Sequence, residues 1–354
     1  MRLPSRIRAL ILLAIVLELP VLARIVRRLT GTPQVEHMEV EGVPAEVVKP
    51  AGEGPWPAWL FVNGAHPERR TEPVVMRLSR GLARAGYLVV VPDVPGLGEG
   101  AITARTLDAT AAVTAATLRR ADVAGDRVAL IGASTGAALA LVTAGRKDLA
   151  ERISVVAAVA PFADLSRMVC LATTRGYAEN GRFAQYDVTD LHRRVVARSL
   201  VTTIADSGDR GRLLAVLDRA EQEQQDPVAA LPEGPAGLGE DAAAVLSVLK
   251  NEDPERFEEL YDALPEQVRS LLERLSPLRG CGGVHAPVEI VVPPSDVYFP
   301  PGEARALAAA LPNVQLTITS TLDHTRPQLS LSRLRDLRAF DRFVVRGLAA
   351  AARC

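Results

Sequence analysis

The chain has 354 residues, of which 48% are hydrophobic and 23% charged, and its formal net charge at pH 7 is -1. This length is enough for one large α/β domain with an insertion, or for two domains. The near-neutral charge and the low aromatic content of 4% exclude an extended nucleic-acid surface, which would need a basic surplus or aromatic rings that stack on bases.

The first 30 residues differ from the rest, because arginines flank an apolar run over residues 9–23 on both sides. The run is shorter than the ~20 residues of a comfortable membrane span, and it contains Glu18 and Pro20. Three interpretations remain open: a short transmembrane anchor, a secretory signal, or a surface helix that lies on lipid. We expect membrane association through residues 9–23, and otherwise a cytoplasmic or secreted protein.

Beyond residue 30, short apolar runs alternate with helical patterns, which is typical of a mostly parallel sheet. A turn at Gly42-Val43-Pro44 separates two strands within residues 35–48. Further strands are predicted at residues 57–62, 87–91, 127–131 and 153–160, with helices at residues 73–85, 104–119 and 135–145.

The strand signal disappears between residues 162 and 277, where charged helical segments cover residues 190–200, 210–225 and 253–275 with a Pro/Gly-rich break at residues 231–235. It returns with strands at residues 288–292 and 314–319 and helices at residues 302–311 and 331–347. We therefore predict an α/β fold with a doubly wound, mostly parallel sheet and an all-helical cap. The predicted division is an N-terminal hydrophobic segment (1–30), a core (31–162 and 278–354) and a cap (163–277).

The pentapeptide Gly132-Ala133-Ser134-Thr135-Gly136 stands where an apolar strand passes into a helix. A sharp turn at this point would lift the Ser134 side chain above the sheet and place it at unpaired helix N–H groups. Ser134 is therefore a candidate nucleophile. The alternative is a glycine-rich turn that only packs closely or binds a phosphate.

A serine nucleophile needs a base and an acid that orients it. His324 follows the predicted strand at residues 314–319, and Asp296 follows the one at residues 288–292, so both lie at the edge of the sheet that should hold Ser134. The order Ser, Asp, His is the one expected for such a sheet. Asp164, after an earlier strand, is the rival for the acid, whereas Asp323 adjoins the histidine and is a poor orienter.

These motifs resemble the α/β-hydrolase superfamily, especially its lidded esterase, lipase and serine-aminopeptidase-like branches, over residues 35–165 and 278–345. The resemblance implies Ser134 as nucleophile, His324 as general base and acid, and Asp296 as its orienting partner. It also implies an oxyanion hole formed by the backbone N–H groups of Ala65 and Thr135.

The sequence departs from the family's pattern after the third strand, where Asn63-Gly64 replaces the usual His-Gly. His66, three residues after Asn63, is expected either to line the pocket or to cap the segment that follows. The loop Asp93–Gly100 resembles a loop common in these enzymes. Its glycines lack the G-x-G-x-x-G spacing of a dinucleotide site.

Three scattered cysteines, Cys170, Cys281 and Cys354, predict neither a disulfide framework nor a zinc site. We expect no metal and no cofactor. The predicted activity is hydrolysis of a carboxylic ester on a small-molecule or lipid-like acyl substrate, through an acyl-enzyme. The alternatives are a serine peptidase or aminopeptidase, a thioesterase, and a non-catalytic membrane-tethered protein of the same fold.

Overall fold

A computed structural model describes residues 3–179, 182–328 and 334–353 of the protein. Its main feature is a sheet of eight strands in the order β1-β2-β4-β3-β5-β6-β9-β10. The strands of the described residues are β1 (Gln34–Val40), β2 (Val43–Lys49), β3 (Ala58–Val62), β4 (Leu88–Pro92), β5 (Val128–Ala133), β6 (Ile153–Val159), β7 (Gly176–Glu179), β8 (Arg182–Gln185), β9 (Val288–Val292), β10 (Val314–Ile318), β11 (Leu322–Asp323) and β12 (Arg326–Pro327).

Helices cover both faces of this sheet. They are α1 (Ser5–Val16), α2 (Pro20–Leu29), α3 (Pro73–Arg84), α4 (Ala104–Leu118), α5 (Thr135–Ala144), α6 (Leu165–Thr174), α7 (Asp190–Thr202), α8 (Ser207–Gln222), α9 (Glu240–Leu249), α10 (Phe257–Asp262), α11 (Glu266–Arg274), α12 (Pro277–Gly280), α13 (Pro301–Ala310) and α14 (Leu334–Ala351). The predicted last helix, 331–347, begins at residues 331–333, which lie outside the described residues.

The central strands are apolar on both faces because each face is covered by helices. Along β3, Leu60 and Val62 belong to one apolar cluster, whereas Trp59 and Phe61 belong to the cluster on the other face. Strands β4, β3, β5, β6, β9 and β10 pair in parallel, and β1 and β2 pair antiparallel at one edge. The predicted doubly wound, mostly parallel sheet is confirmed.

The insertion between β6 and β9 contains α6 to α12 and, against expectation, a small antiparallel hairpin of β7 and β8. The prediction of an entirely helical cap was therefore wrong at this point. The sequence Asn180-Gly181, which lies between the two strands, is a strong hairpin signal that was overlooked. The predicted helix at 253–275 is also divided, because Pro265 stands between α10 and α11 and lacks the N–H that a continuous helix needs.

The apolar run near the N-terminus forms two short helices rather than one. The chain turns between α1 and α2, where Glu18 has a φ of 51°, and Pro20 begins the second helix. In the described ranges, no helix has both the length and the apolar character needed to cross a bilayer.

The inner face of α1 packs on the core instead. Its Leu12 lies against Gly81 of α3, where a Cβ atom would come within 2.8 Å of the Leu12 Cδ1 atom. The guanidinium of Arg8 is buried and lies 4.6 Å above the ring centre of Tyr87. Since these contacts bury one side of α1, only its outer side is left exposed.

Candidate active site

Ser134 occupies the sharp turn between β5 and α5. Its backbone has a φ of 55° and a ψ of -125°, a region that costs a non-glycine residue of the order of 1–3 kcal/mol. Two hydrogen bonds hold the turn: the Ser134 N–H donates to the carbonyl of Val159 at 2.8 Å, and the Ala137 N–H donates to the carbonyl of Ser134 at 2.9 Å. This is the sharp, strained strand-to-helix turn that the sequence predicts for Ser134.

The small residues around this turn are required by close backbone contacts. A Cβ atom on Gly132 would lie 2.3 Å from the carbonyl oxygen of Gly136, and one on Gly136 would lie 2.2 Å from the carbonyl oxygens of Val62 and Asn63. Neither position can accept a larger residue without a backbone shift. The glycines of the pentapeptide therefore set how closely β3, β5 and α5 approach each other.

His324 and Asp296 form a close pair beside this turn. The two-residue strands β11 and β12 present His324 at the turn between them, and its Nδ1 atom lies 2.7 Å from Asp296 Oδ2. The other carboxylate oxygen of Asp296 accepts the N–H groups of Tyr298 at 2.8 Å and of Phe299 at 3.3 Å. Asp296 is 7% exposed, so its hydrogen bonds hold a buried carboxylate in one orientation.

The imidazole of His324 is also held by aromatic rings. The centre of the Tyr298 ring is 4.5 Å away, and that of Phe299 is 5.7 Å away in an edge-to-face arrangement. No hydrogen bond among the described residues uses His324 Nε2. With Nδ1 engaged by the carboxylate, Nε2 is the nitrogen left for proton transfer.

The predicted oxyanion donors stand on the two sides of Ser134. Ala65 follows β3, Thr135 is the first residue of α5, and both line the same cavity as Ser134. No described hydrogen bond uses the backbone N–H of either residue. Asn63, which replaces the usual histidine, shapes this loop: its Oδ1 accepts the Gly64 N–H at 2.9 Å, and its Nδ2 donates to the carbonyl of Arg69 at 2.6 Å.

Ser134, Ala65, Thr135 and His324 line one cavity of about 380 Å³. Its floor is the edge of the sheet, and its opposite wall comes from the cap. The apolar side chains of this wall are Leu165 and Met168 of α6 and Leu191, Val195 and Val196 of α7. The enclosure is therefore largely apolar, as in pockets that accept uncharged organic groups.

One polar side chain of the cap, His192, lies in this wall. It is 6% exposed, its ring packs edge-to-face on Phe299 with 5.7 Å between centres, and neither ring nitrogen has a hydrogen-bond partner among the described residues. Burial lowers the pKa of His192 to about 4, and the nearby carbonyls of Met168 and Tyr298 offset this only in part. The imidazole is therefore neutral at pH 7. Sequence reasoning placed His192 in the cap without a role.

Asp164, the rival acid, does not contact His324 in any described hydrogen bond. It caps α6, since its Oδ1 accepts the N–H of Ser166 at 2.9 Å and the hydroxyl of Ser166 at 2.7 Å. Asp323 points to Gln328, whose Nε2 donates to it at 3.1 Å. His66 lines the cavity and also accepts the Glu68 N–H at Nδ1, at 3.3 Å.

A buried carboxylate that sequence reasoning missed joins the cap to the core. Glu303 of α13 is fully buried, and its Oε2 accepts the N–H groups of Ala163 at 2.7 Å and Asp164 at 3.0 Å. Its Oε1 accepts the hydroxyl of Tyr177 at 2.8 Å and lies 3.0 Å from Arg167 Nη2. Burial raises the pKa of Glu303. No motif marked this single glutamate within a predicted helix.

The remaining candidates lie elsewhere. Asp93 accepts the Arg70 N–H at 3.2 Å and forms an ion pair with the same arginine, so it fixes the loop that carries Ala65. His285 lies 2.6 Å from Glu151. Cys170 and Cys281 are free thiols, and Cys354 lies outside the described residues.

With this geometry in place, the family comparison is informative. The model of the X-Pro dipeptidyl-peptidase (S15) family matches residues 42–239, which is more than half of the chain. The chain belongs to this family. The matched range includes Ser134 and most of the cap, and it ends before Asp296 and His324. Family and fold together make the chain a serine hydrolase of the α/β-hydrolase superfamily.

Solved structures show the same fold at low sequence identity. The 2,6-dihydroxy-pseudo-oxynicotine hydrolase is 15% identical with a TM-score of 0.51, over 91% of this chain and 70% of that one. An acylaminoacyl peptidase in complex with a chloromethyl ketone is 12% identical with a TM-score of 0.52, over 90% of this chain and 41% of that one. The Pyrococcus horikoshii acylaminoacyl peptidase, 12% identical with a TM-score of 0.51, is likewise covered over 41%. This chain therefore spans about two fifths of those peptidases. Among curated proteins, none matches the sequence.

Proposed function

We propose that the protein hydrolyses carboxylic esters through an acyl-enzyme on Ser134. The observation that carries this proposal is the 2.7 Å pair of Asp296 and His324 on the cavity that also contains the strained Ser134 turn. Nucleophile, base and orienting acid are the three parts that acyl transfer requires.

In the proposed reaction, the Ser134 hydroxyl attacks the ester carbonyl and gives its proton to His324 Nε2. The N–H groups of Ala65 and Thr135 stabilise the oxyanion that forms. When this intermediate collapses, His324 returns the proton to the leaving alcohol, and the acyl group remains on Ser134. A water molecule then repeats the sequence, and the carboxylic acid is released.

Asp296 has a positioning role in this scheme. Its carboxylate accepts the Nδ1–H of His324, which fixes the tautomer with a free Nε2 lone pair, and it stabilises the imidazolium that forms during attack. Because the N–H groups of Tyr298 and Phe299 hold the other oxygen, the carboxylate cannot rotate away from the imidazole.

Esters are placed first because the cavity wall opposite Ser134 is mostly apolar. Such a wall suits an uncharged acyl or alkyl group. A volume of about 380 Å³ limits the enclosed part of the substrate to a small or medium-sized group. Longer substrates would extend past the rim of the cap.

A second candidate, release of X-Pro dipeptides, is favoured by the family match. A peptidase that acts at a free amino terminus needs a carboxylate for the ammonium group. The acidic residues of the cavity lining are Glu72 and Asp323. Glu72 Oε2 already accepts the N–H groups of Val74 at 2.7 Å and Val75 at 2.9 Å as the N-cap of α3, and Asp323 accepts Gln328 Nε2. This engagement is why we place peptides second.

The test has two parts. Labelling by a fluorophosphonate probe, compared with Ser134→Ala and His324→Ala, checks the nucleophile and the base. Turnover of p-nitrophenyl esters of graded acyl length, compared with X-Pro p-nitroanilides, identifies the bond. If the folded wild-type protein is not labelled, the hydrolase mechanism is wrong. If labelling occurs but only the anilides are cleaved, the peptidase replaces the esterase.

A further inference from the structure

The outer faces of α1 and α2 expose an unusual number of large apolar side chains. Of the thirteen exposed large apolar residues among the described residues, seven fall within residues 3–29: Leu3, Ile7, Leu10, Val21, Leu22, Ile25 and Leu29. Val21 is 72% exposed and Leu29 is 80% exposed. Val21, Ile25 and Leu29 of α2 are spaced by four residues, and Ile7 and Leu10 of α1 by three, so each set shares one helix face.

Arginines lie beside these apolar residues. Arg6, Arg24, Arg27 and Arg28 are exposed, and the described residues provide no carboxylate within ion-pair distance of any of them. Glu18, the sole acidic residue of the first 29 in the sequence, is engaged by Arg77 of α3. Six arginines and one glutamate give this segment a strong positive charge, although the whole chain carries a net charge of -1.

The same surface continues onto α14. A cleft of about 560 Å³ is lined by Arg6 and Leu10 of α1 and by Arg338, Asp341, Arg342, Val345 and Arg346 of α14. Arg346 is paired with Glu289 at 2.7 Å, whereas Arg338 and Arg342 are exposed and have no ion pair among the described residues. The cleft therefore offers positive charge beside the apolar side chain of Leu10.

We propose that this N-terminal face, formed by the outer sides of α1 and α2 and the arginines of α14, binds the surface of an anionic phospholipid bilayer. The apolar side chains enter the boundary between head groups and acyl chains, and the arginines pair with the phosphate and carboxylate groups of the lipids. The helices lie in the interface and do not cross it. This inference does not depend on the proposed esterase activity.

Charge argues for a bilayer over a second copy of the chain. A symmetric dimer through this face would bring arginines of one copy against those of the other, since a two-fold interface pairs a surface with itself. Like charges at an interface oppose association. An anionic bilayer instead accepts the apolar and the cationic side chains together.

The experiment is co-sedimentation of the full-length protein with vesicles of phosphatidylcholine alone or mixed with phosphatidylserine. We expect stronger binding to the mixed vesicles and a loss of that preference at high salt. Arg338→Gln/Arg342→Gln should weaken binding to mixed vesicles about fivefold for each arginine, since each contributes about 1 kcal/mol near an anionic surface. Binding to phosphatidylcholine alone should change little.

The apolar contribution is tested by Val21→Glu/Leu29→Glu, which should weaken binding to both vesicle types at least about tenfold. Val35→Glu/Ile318→Glu is the matched control, because these aliphatic residues are also exposed but lie on β1 and β10, at the sheet edges. Thermal melts verify that every variant is folded. Equal vesicle binding by Val21→Glu/Leu29→Glu and by Val35→Glu/Ile318→Glu would overturn the proposal. The proposal would also be overturned if the wild-type protein formed a dimer, did not bind vesicles, and dissociated on the substitution Val21→Glu/Leu29→Glu. The partner of this face would then be a second copy of the chain.

Discussion

The two walls of the cavity differ in how their polar groups are satisfied. On the core wall, Asp296 and Asn63 have their polar atoms engaged by hydrogen bonds that fix His324 and the loop of Ala65. On the cap wall, His192 is buried among apolar side chains with neither ring nitrogen paired. In the proposed mechanism the reacting groups are therefore held by the core, whereas the cap contributes the shape of the cavity and its apolar wall.

The largest expected effect on activity comes from replacing the proposed nucleophile on the core wall. Ser134→Ala should lower kcat by about 10⁶-fold, because the residual activity would come only from binding and oxyanion stabilisation. The substitution leaves the turn in place, so the melting temperature should stay close to that of the wild type. A steady-state assay with the best p-nitrophenyl ester measures the loss. Retention of most of the activity would assign the nucleophile to another residue.

The orienting role of Asp296 comes next in size. Asp296→Asn should lower kcat about 10⁴-fold, because an amide at this position favours the wrong tautomer of His324. Asp323→Asn is the matched control, since Asp323 adjoins the same histidine and contacts Gln328 instead, and it should change kcat only a few-fold. Comparable losses of kcat in Asp296→Asn and Asp323→Asn would show that an acidic residue near His324 is enough, and that the specific Asp296–His324 pair does not explain the effect.

The buried His192 of the cap wall should make the free energy of unfolding depend on pH. The pKa of His192 lies near 4 in the folded protein and near 6.5 in the unfolded chain. Between these values the unfolded state binds more protons, so the free energy of unfolding should fall as the pH is lowered, by up to about 3 kcal/mol. Above pH 6.5 the contribution should be constant.

Urea unfolding at pH 7, 5.5 and 4.5 measures this slope. Because carboxylates also titrate in this range, the useful quantity is the difference from His192→Phe, which should show a shallower slope. Parallel slopes for the wild type and His192→Phe would mean that the cap wall lets water reach the imidazole.

The smallest expected effect is the difference in stability between glycine substitutions in the core and in the cap. Gly136→Ala should destabilise the protein by about 2 kcal/mol, because its Cβ would collide with backbone atoms of the core. Gly211→Ala, in helix α8 of the cap, meets no atom within 4 Å and should stabilise by up to about 1 kcal/mol through helix propensity. Urea midpoints measure both. A neutral Gly136→Ala would show that the turn at Ser134 tolerates a wider spacing of β3 and α5.

The sheet was predictable because its strands are buried on both faces. Runs such as 87–91 have no polar residue at all, and the runs at 127–131 and 135–145 meet at a glycine-rich turn, so periodicity and length identify strand and helix. The β7–β8 hairpin was missed because its strands, Gly176–Glu179 and Arg182–Gln185, are short and mostly polar. The division of residues 9–23 into two helices could have been inferred from Glu18 and Pro20.

The site was predictable only in part. Ser134, Asp296 and His324 each follow a strand, and the ends of parallel strands meet at one edge, so their proximity follows from topology. The roles of His192 and Glu303 depend on how the cap packs on the core, and no spacing within one element encodes such contacts. The two hydrogen bonds by which the Asn63 side chain fixes the following loop could not be predicted either, because the family usually carries a histidine at this position.

The buried carboxylate of Glu303 limits how the cap can move away from the core. Because its Oε2 atom accepts the N–H groups of Ala163 and Asp164, moving the start of α6 away from α13 would leave this buried oxygen unpaired, at a cost of about 1–3 kcal/mol. The start of α6, the first helix of the cap, is therefore anchored to the core. Any movement of the cap that opens the cavity should therefore leave the start of α6 in place.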